Sequence, residues 1–162
     1  MKILLFILVL LVTQNAHSNE ESPELIIEKI QEDVYRHKSF KHVNGFGLVS
    51  SNGLIVVENG KAFIIDTPWS EGDTEKLVKW IDENKYQLIG SISTHSHEDR
   101  TAGIAWLNAN SIKTYASALT NQILNEETQA LATTSFEGPV YSINDVSIEA
   151  YYPGEGLSLI HI

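Results

Sequence analysis

Hydrophobic positions recur along the chain with two different periods. With period two, residues 26–30 and 34–40 read as strands, although both are short and charged. Residues 53–58 (GLIVVE) and 61–66 (KAFIID) make stronger strands, and the Asn59-Gly60 pair between them is a strong hairpin signal. Leu77, Val78 and Ile81 fall instead at helical spacing, through about Asn84, behind a Ser70-Glu71-Gly72-Asp73 start that resembles an N-cap. Further strands are predicted at 87–93 and 113–116, with helices at 101–109 and 117–127. Residues 128–138 have no clear period and read as linker, and strands resume at 140–143 and 146–152 across Asn144-Asp145.

From residue 61 onward the order is β-α-β-α-β-α, which implies parallel strands with helices packed on the sheet. The predicted class is α/β with an antiparallel N-terminal portion. In that portion, Val43-Asn44-Gly45-Phe46-Gly47 sets two glycines around an aromatic residue, the makings of a hairpin tip with Phe46 exposed. Such a ring either meets a ligand or folds back on the sheet, and the residues alone favour neither.

The first 18 residues follow another pattern. Lys2, the apolar run from Ile3 to Val12 and the small residues of Ala16-His17-Ser18 form a secretory signal peptide, with cleavage expected after Ser18. The run is too short to anchor the polypeptide permanently in a bilayer. Export to the periplasm, without stable membrane anchoring, is the expectation. The 162 residues suffice for one domain with a real core. With 21 acidic residues against 11 basic, a net charge of −10, nucleic acid is a poor partner, because phosphate binding needs clustered Lys and Arg. The sequence has no cysteine, so neither a disulfide nor a thiolate metal ligand is available in it.

Candidate chemistry concentrates in Thr94-His95-Ser96-His97-Glu98-Asp99-Arg100-Thr101-Ala102-Gly103, where a predicted parallel strand hands over to a helix. Ligands bind at such edges of α/β sheets. In extended backbone His-x-His turns both imidazoles to one face, and imidazole with carboxylate suits Zn²⁺. Two histidines are short of a full ligand set, so at least one more donor must come from elsewhere in the polypeptide. Asp99, on the same side, can bind a second metal or hydrogen-bond to metal-bound water. The bland alternative makes both histidines exposed turn residues and Asp99 a helix cap. Capping accounts for Asp99 but not for two histidines at this spacing.

These residues, with Thr101-Ala102-Gly103-Ile104 and Trp106-Leu107-Asn108, resemble the metallo-β-lactamases, above all the exported three-histidine subclass of Gram-negative bacteria. VNGFGLVSSNGLIVVENGKAFIIDTPW (43–69) and YYPG (151–154) look like further signatures of that family, and the resemblance runs from about Glu24 to Gly156. It implies an αββα sandwich, of which this sequence holds mainly the N-terminal half, with a dinuclear zinc site along one edge. His95 and His97 would be two ligands of a trihistidine zinc, and Asp99 a ligand of the second Zn²⁺ and a catalytic residue. Phe46 would lie on the loop that closes over substrate, while Asp66 and Thr94 would support the ligands. Related glyoxalase-type hydrolases have a metal-binding His where Arg100 stands, which favours the β-lactamase branch. The implied activity is hydrolysis of the β-lactam amide bond of small-molecule antibiotics by a monomer, zinc lowering the pKa of its bound water to about 7.

The pattern departs from the family after Gly156. There the family continues with the third His of the first zinc, whereas this sequence has Leu157 and then Ser158-Leu159-Ile160-His161-Ile162. His161 is displaced by four residues and is not assigned as a ligand. The expected organisation is a signal peptide at 1–18, a partial domain at 19–156 and a non-family tail at 157–162, the domain being truncated at its C-terminal end. Two other readings stay open: an inactive zinc-binding fragment, and a different hydrolase on the same fold.

Overall fold

The computed structural model describes residues 22–152 and 154, so the expected signal peptide and the tail after Gly156 lie outside the described residues. Four strands, β1 (Ile26–Gln31), β2 (Val34–Val43), β3 (Gly47–Glu58) and β4 (Lys61–Ile65), pair as an antiparallel meander. Three more, β5 (Gln87–Ile92), β6 (Thr114–Ser117) and β7 (Thr134–Phe136), join in parallel and complete one seven-stranded sheet in sequence order. The crossovers are α1 (Glu71–Glu83), the short pair α2 (Glu98–Thr101) and α3 (Ile104–Ala109), and α4 (Ala118–Glu126). A two-stranded ribbon of β8 (Val140–Ile143) and β9 (Ile148–Tyr151) follows.

Both faces of the sheet are apolar because β4 buries adjacent residues on opposite sides, Phe63 toward one and Ile64 toward the other. On the Ile64 side, Ile55, Val57 and Ala62 meet Leu77 and Ile81, the buried stripe of α1. The hydroxyl of Ser70 accepts from the Asp73 N–H at 3.1 Å, so the predicted N-cap forms. On the Phe63 side, Ile92 packs with Ile143 and Val146 of the ribbon. Glu58 at the end of β3 ties that ribbon down, accepting from the Ser147 N–H at 2.6 Å and from its hydroxyl at 3.1 Å.

The main departures from the sequence expectation are three. β3 starts at Gly47 rather than 53, because polar Ser50, Ser51 and Asn52 pair along β2 all the way to Val43. The stretch read as linker contains β7, held beside β6 by reciprocal bonds between Thr114 and Thr133. The helix expected at 101–109 breaks at Ala102-Gly103, where a Cβ on Gly103 would lie 2.4 Å from Thr74 Oγ1 of α1.

Candidate metal centre

The β5 strand ends at Ile92, and the next residues carry the His-x-His pair over the sheet edge into α2. The donor atoms of His95, His97 and Asp99 all lie within 4.8 Å of one another, and each of the three residues is half-buried. The two imidazole rings stand 4.7 Å apart and nearly perpendicular, at 81°. His97 is the extended N-cap residue of α2, with φ −63° and ψ 146° and no side-chain capping bond. Asp99 therefore joins the histidines from the first helical turn rather than from a continuing extended backbone. Nor does it cap the helix. Its Oδ2 accepts from the Ser51 hydroxyl at 3.2 Å and pairs with the Arg100 guanidinium at 3.3 Å.

Beneath the histidines lies Asp66, the residue after β4, in the left-handed region at φ +62° and almost fully buried. Its Oδ1 accepts from the Thr94 N–H at 2.7 Å, and its Oδ2 from the Thr94 hydroxyl at 3.0 Å. Since that hydroxyl spends its hydrogen on the carboxylate, it can only accept from His95 Nδ1, 3.2 Å away. The tautomer that results leaves His95 Nε2 with a free lone pair, the form a metal needs. Burial lowers the His95 pKa, and the neighbouring His97 and Arg100 add to that against the opposing charge of Asp99. Desolvation raises the Asp66 pKa, while the Thr94 N–H, Arg100 and the Thr94 hydroxyl oppose it.

Arg100 locks the whole corner. Its carbonyl accepts from the Thr67 N–H, the Thr67 hydroxyl and the Ser93 hydroxyl, each at 3.0 Å. Its guanidinium donates to the Asn52 carbonyl and to Ser51 Oγ, the latter at 3.0 Å, and lies 3.7 Å from the Asp66 carboxylate. The sequence motif contains Arg100 but gives no sign of these partners, which come from β3 and from the residues just after β4 and β5.

His95, Ser93 and Thr94 open onto a cleft of about 430 Å³, walled by Leu119, Phe136 and Tyr151 among others. Phe46 stands where the sequence places it, at the tip of the β2–β3 hairpin and 81% exposed, but it does not line that cleft. A residue that no sequence signal marks is His37 of β2, which is buried and bonds to the Asp66 carbonyl at 2.9 Å.

No family model matches the sequence. Among curated proteins, the metallo-β-lactamase type 2 of Pseudomonas aeruginosa is 48% identical over 134 residues, covering 83% of this chain and 54% of that protein. Among solved structures, TMB-1 superposes with a TM-score of 0.80 at 63% identity, covering 82% of this chain and 61% of its own. The chain is homologous to the metallo-β-lactamases. The DIM-1 metallo-β-lactamase exposed to ceftazidime agrees, with a TM-score of 0.82 at 55% identity over 85% of this chain and 63% of its own. The chain thus spans about half the length of the curated metallo-β-lactamase and about three fifths of the two solved structures. It holds the N-terminal portion of the metallo-β-lactamase fold.

Proposed function

We propose that this chain is the zinc-binding N-terminal portion of a periplasmic, monomeric hydrolase that opens the β-lactam amide bond. The observation that carries the reading is the convergence of His95, His97 and Asp99 within 4.8 Å at a sheet edge. Two nitrogens and a carboxylate oxygen are donors that zinc takes, and the tautomer held by Thr94 leaves His95 Nε2 available. In the complete family site these residues would serve two zinc ions. Bound zinc supplies Lewis acidity and a nucleophile at neutral pH. The protein's own residues do the positioning. Asp66 and Thr94 fix His95, while Ser51 and Arg100 hold the Asp99 side chain beside the histidines, in the catalytic role this reading gives it. The cleft of about 430 Å³ beside His95 has the size of a small-molecule site. Phe46, on its exposed tip, is the proposed substrate contact from above. Export rests on the apolar run and small residues at 1–18.

The test is hydrolysis of a chromogenic cephalosporin by the 162-residue protein with zinc and again with a chelator. Zinc-dependent turnover above the buffer rate supports the reading. Zinc uptake without turnover takes hydrolysis away from this chain. That second outcome is a reading in its own right, a zinc-binding polypeptide without activity. It is favoured by the His95, His97 and Asp99 group being the only cluster of three such donors among the described residues.

A further inference from the structure

His37 is buried to 1% exposure in the middle of β2, two strands away from Asp66. Its cross-strand neighbour on β3 is Gly53. A Cβ there would lie 2.3 Å from His37 Nε2, 2.6 Å from Cε1 and 2.5 Å from the Ile65 carbonyl oxygen. The imidazole therefore lies across Gly53, using the space a side chain would fill, and reaches from β2 over β3 to the end of β4. There Nε2 donates to the Asp66 carbonyl at 2.9 Å. Carbonyl oxygens only accept, so Nε2 carries the proton and Nδ1 keeps the lone pair. Nδ1 has no hydrogen-bond partner among the described residues. A buried bare nitrogen is costly, and nothing else about this position calls for a histidine: an apolar side chain would fill the volume without that cost.

What the imidazole secures is the backbone of Asp66. That residue adopts a left-handed conformation, φ +62°, which costs a non-glycine residue about 1–2 kcal/mol. Two bonds pin it. Its N–H donates to the Ile92 carbonyl at 2.8 Å, and its own carbonyl accepts from His37. With both peptide groups fixed, the carboxylate can reach the Thr94 N–H and hydroxyl together, and Thr94 in turn sets the tautomer of His95. We propose that His37 is a positioning residue for the candidate metal centre, acting through the Asp66 backbone, then Thr94, to keep His95 Nε2 free for a ligand. The proposal rests on the metal-binding reading above and adds a third layer to it.

The test uses the full 162-residue protein and three substitutions. In His37→Gln the side-chain amide nitrogen stands close to where Nε2 was and can still donate. In His37→Leu the volume stays but the donor is lost, and in His37→Asn the donor falls short of the carbonyl. Two quantities are read. The first is the His95 tautomer in metal-free protein, from long-range proton–nitrogen NMR at about pH 8, above the imidazole range. The second is zinc affinity, from competition with a chromophoric chelator. Wild type and H37Q are expected to show His95 protonated at Nδ1. H37L should show mixed tautomers and bind zinc about tenfold more weakly, the lower end of the effect of residues that support metal ligands. Should H37L fail to unfold cooperatively, H37N against H37Q makes the same comparison. The proposal is overturned if the donor-free variant keeps both the tautomer and the affinity of wild type, or if H37Q loses as much as H37L. Absence of zinc uptake by wild type would sink the metal reading alone, and the tautomer comparison would still decide the role of His37.

Discussion

At the β2–β3 tip the backbone turns through Gly45 at φ +82° and Gly47 at φ +74°, with no atom within 4 Å of where either Cβ would be. One bond, from the Phe46 N–H to the Val43 carbonyl at 3.0 Å, closes the turn. At the end of β4 the backbone also turns left-handed, but at Asp66, which is buried and tied at its N–H, its carbonyl and both carboxylate oxygens. The first turn uses glycine to avoid strain and leaves its aromatic ring exposed. The second accepts strain at an aspartate and surrounds it with partners. A group that must reach toward a varying ligand suits the first design, and groups that must hold an ion at fixed distances suit the second.

The largest expected effect tests how far the buried corner depends on a neutral His37. Burial lowers its pKa from 6.5 to about 4, with Arg100 adding to the shift and the Asp66 and Ile65 backbone bonds opposing it. The folded state then binds fewer protons than the unfolded one between these two values. The stabilising contribution is therefore complete above pH 6.5 and lost as pH falls toward 4, by roughly 3 kcal/mol in all. Urea titrations at several pH values should show that loss in wild type and a smaller one in His37→Gln, with Asp66 common to both. Removing the carboxylate in Asp66→Ala should weaken zinc binding by about ten- to a hundredfold in a chelator competition. It should also destabilise the fold by about 1–3 kcal/mol, because the Thr94 N–H loses its partner.

Smaller effects separate the two turns. Gly103→Ala sets a methyl 2.4 Å from Thr74 Oγ1 and 2.9 Å from Thr67 Cβ, and should cost about 1–3 kcal/mol in denaturant unfolding. Gly45→Ala meets nothing and should cost only the left-handed backbone term, about 1 kcal/mol. Least of all, Phe46→Ala should leave stability within about 0.5 kcal/mol while raising KM for a β-lactam in a form of the protein that turns it over. A large stability loss at Phe46, or none at Gly103, would erase the contrast.

Much of this was legible in the sequence because local signals agreed with the fold. Asn59-Gly60 does join β3 to β4, Ser70 does cap α1, and the apolar spacing of Leu77 and Ile81 does face the sheet. The gathering of His95 and His97 was readable from spacing, whereas Asp99 reaches them from the first turn of α2 and not from extended backbone, and Asp66 bonds to Thr94, which bonds to His95. What stayed hidden depends on tertiary neighbours. Residues 134–136 are too few for a period, and β7 forms because Thr114 and Thr133 bind each other's backbone. His37 sits in a charged strand with nothing local to mark it, and its role exists only because Gly53 lies opposite and Asp66 one strand further on. The three bonds at the Arg100 carbonyl likewise join segments that no window of sequence contains together.

The central claim is that His95, His97 and Asp99 hold zinc together. Its most direct test is an equilibrium zinc titration of the 162-residue protein beside its His97→Ala variant, both checked for cooperative unfolding. The account predicts saturable uptake by wild type and a loss in the variant exceeding the roughly hundredfold that supporting residues command. Either no uptake by the folded wild type, or an unchanged affinity in His97→Ala, would contradict it.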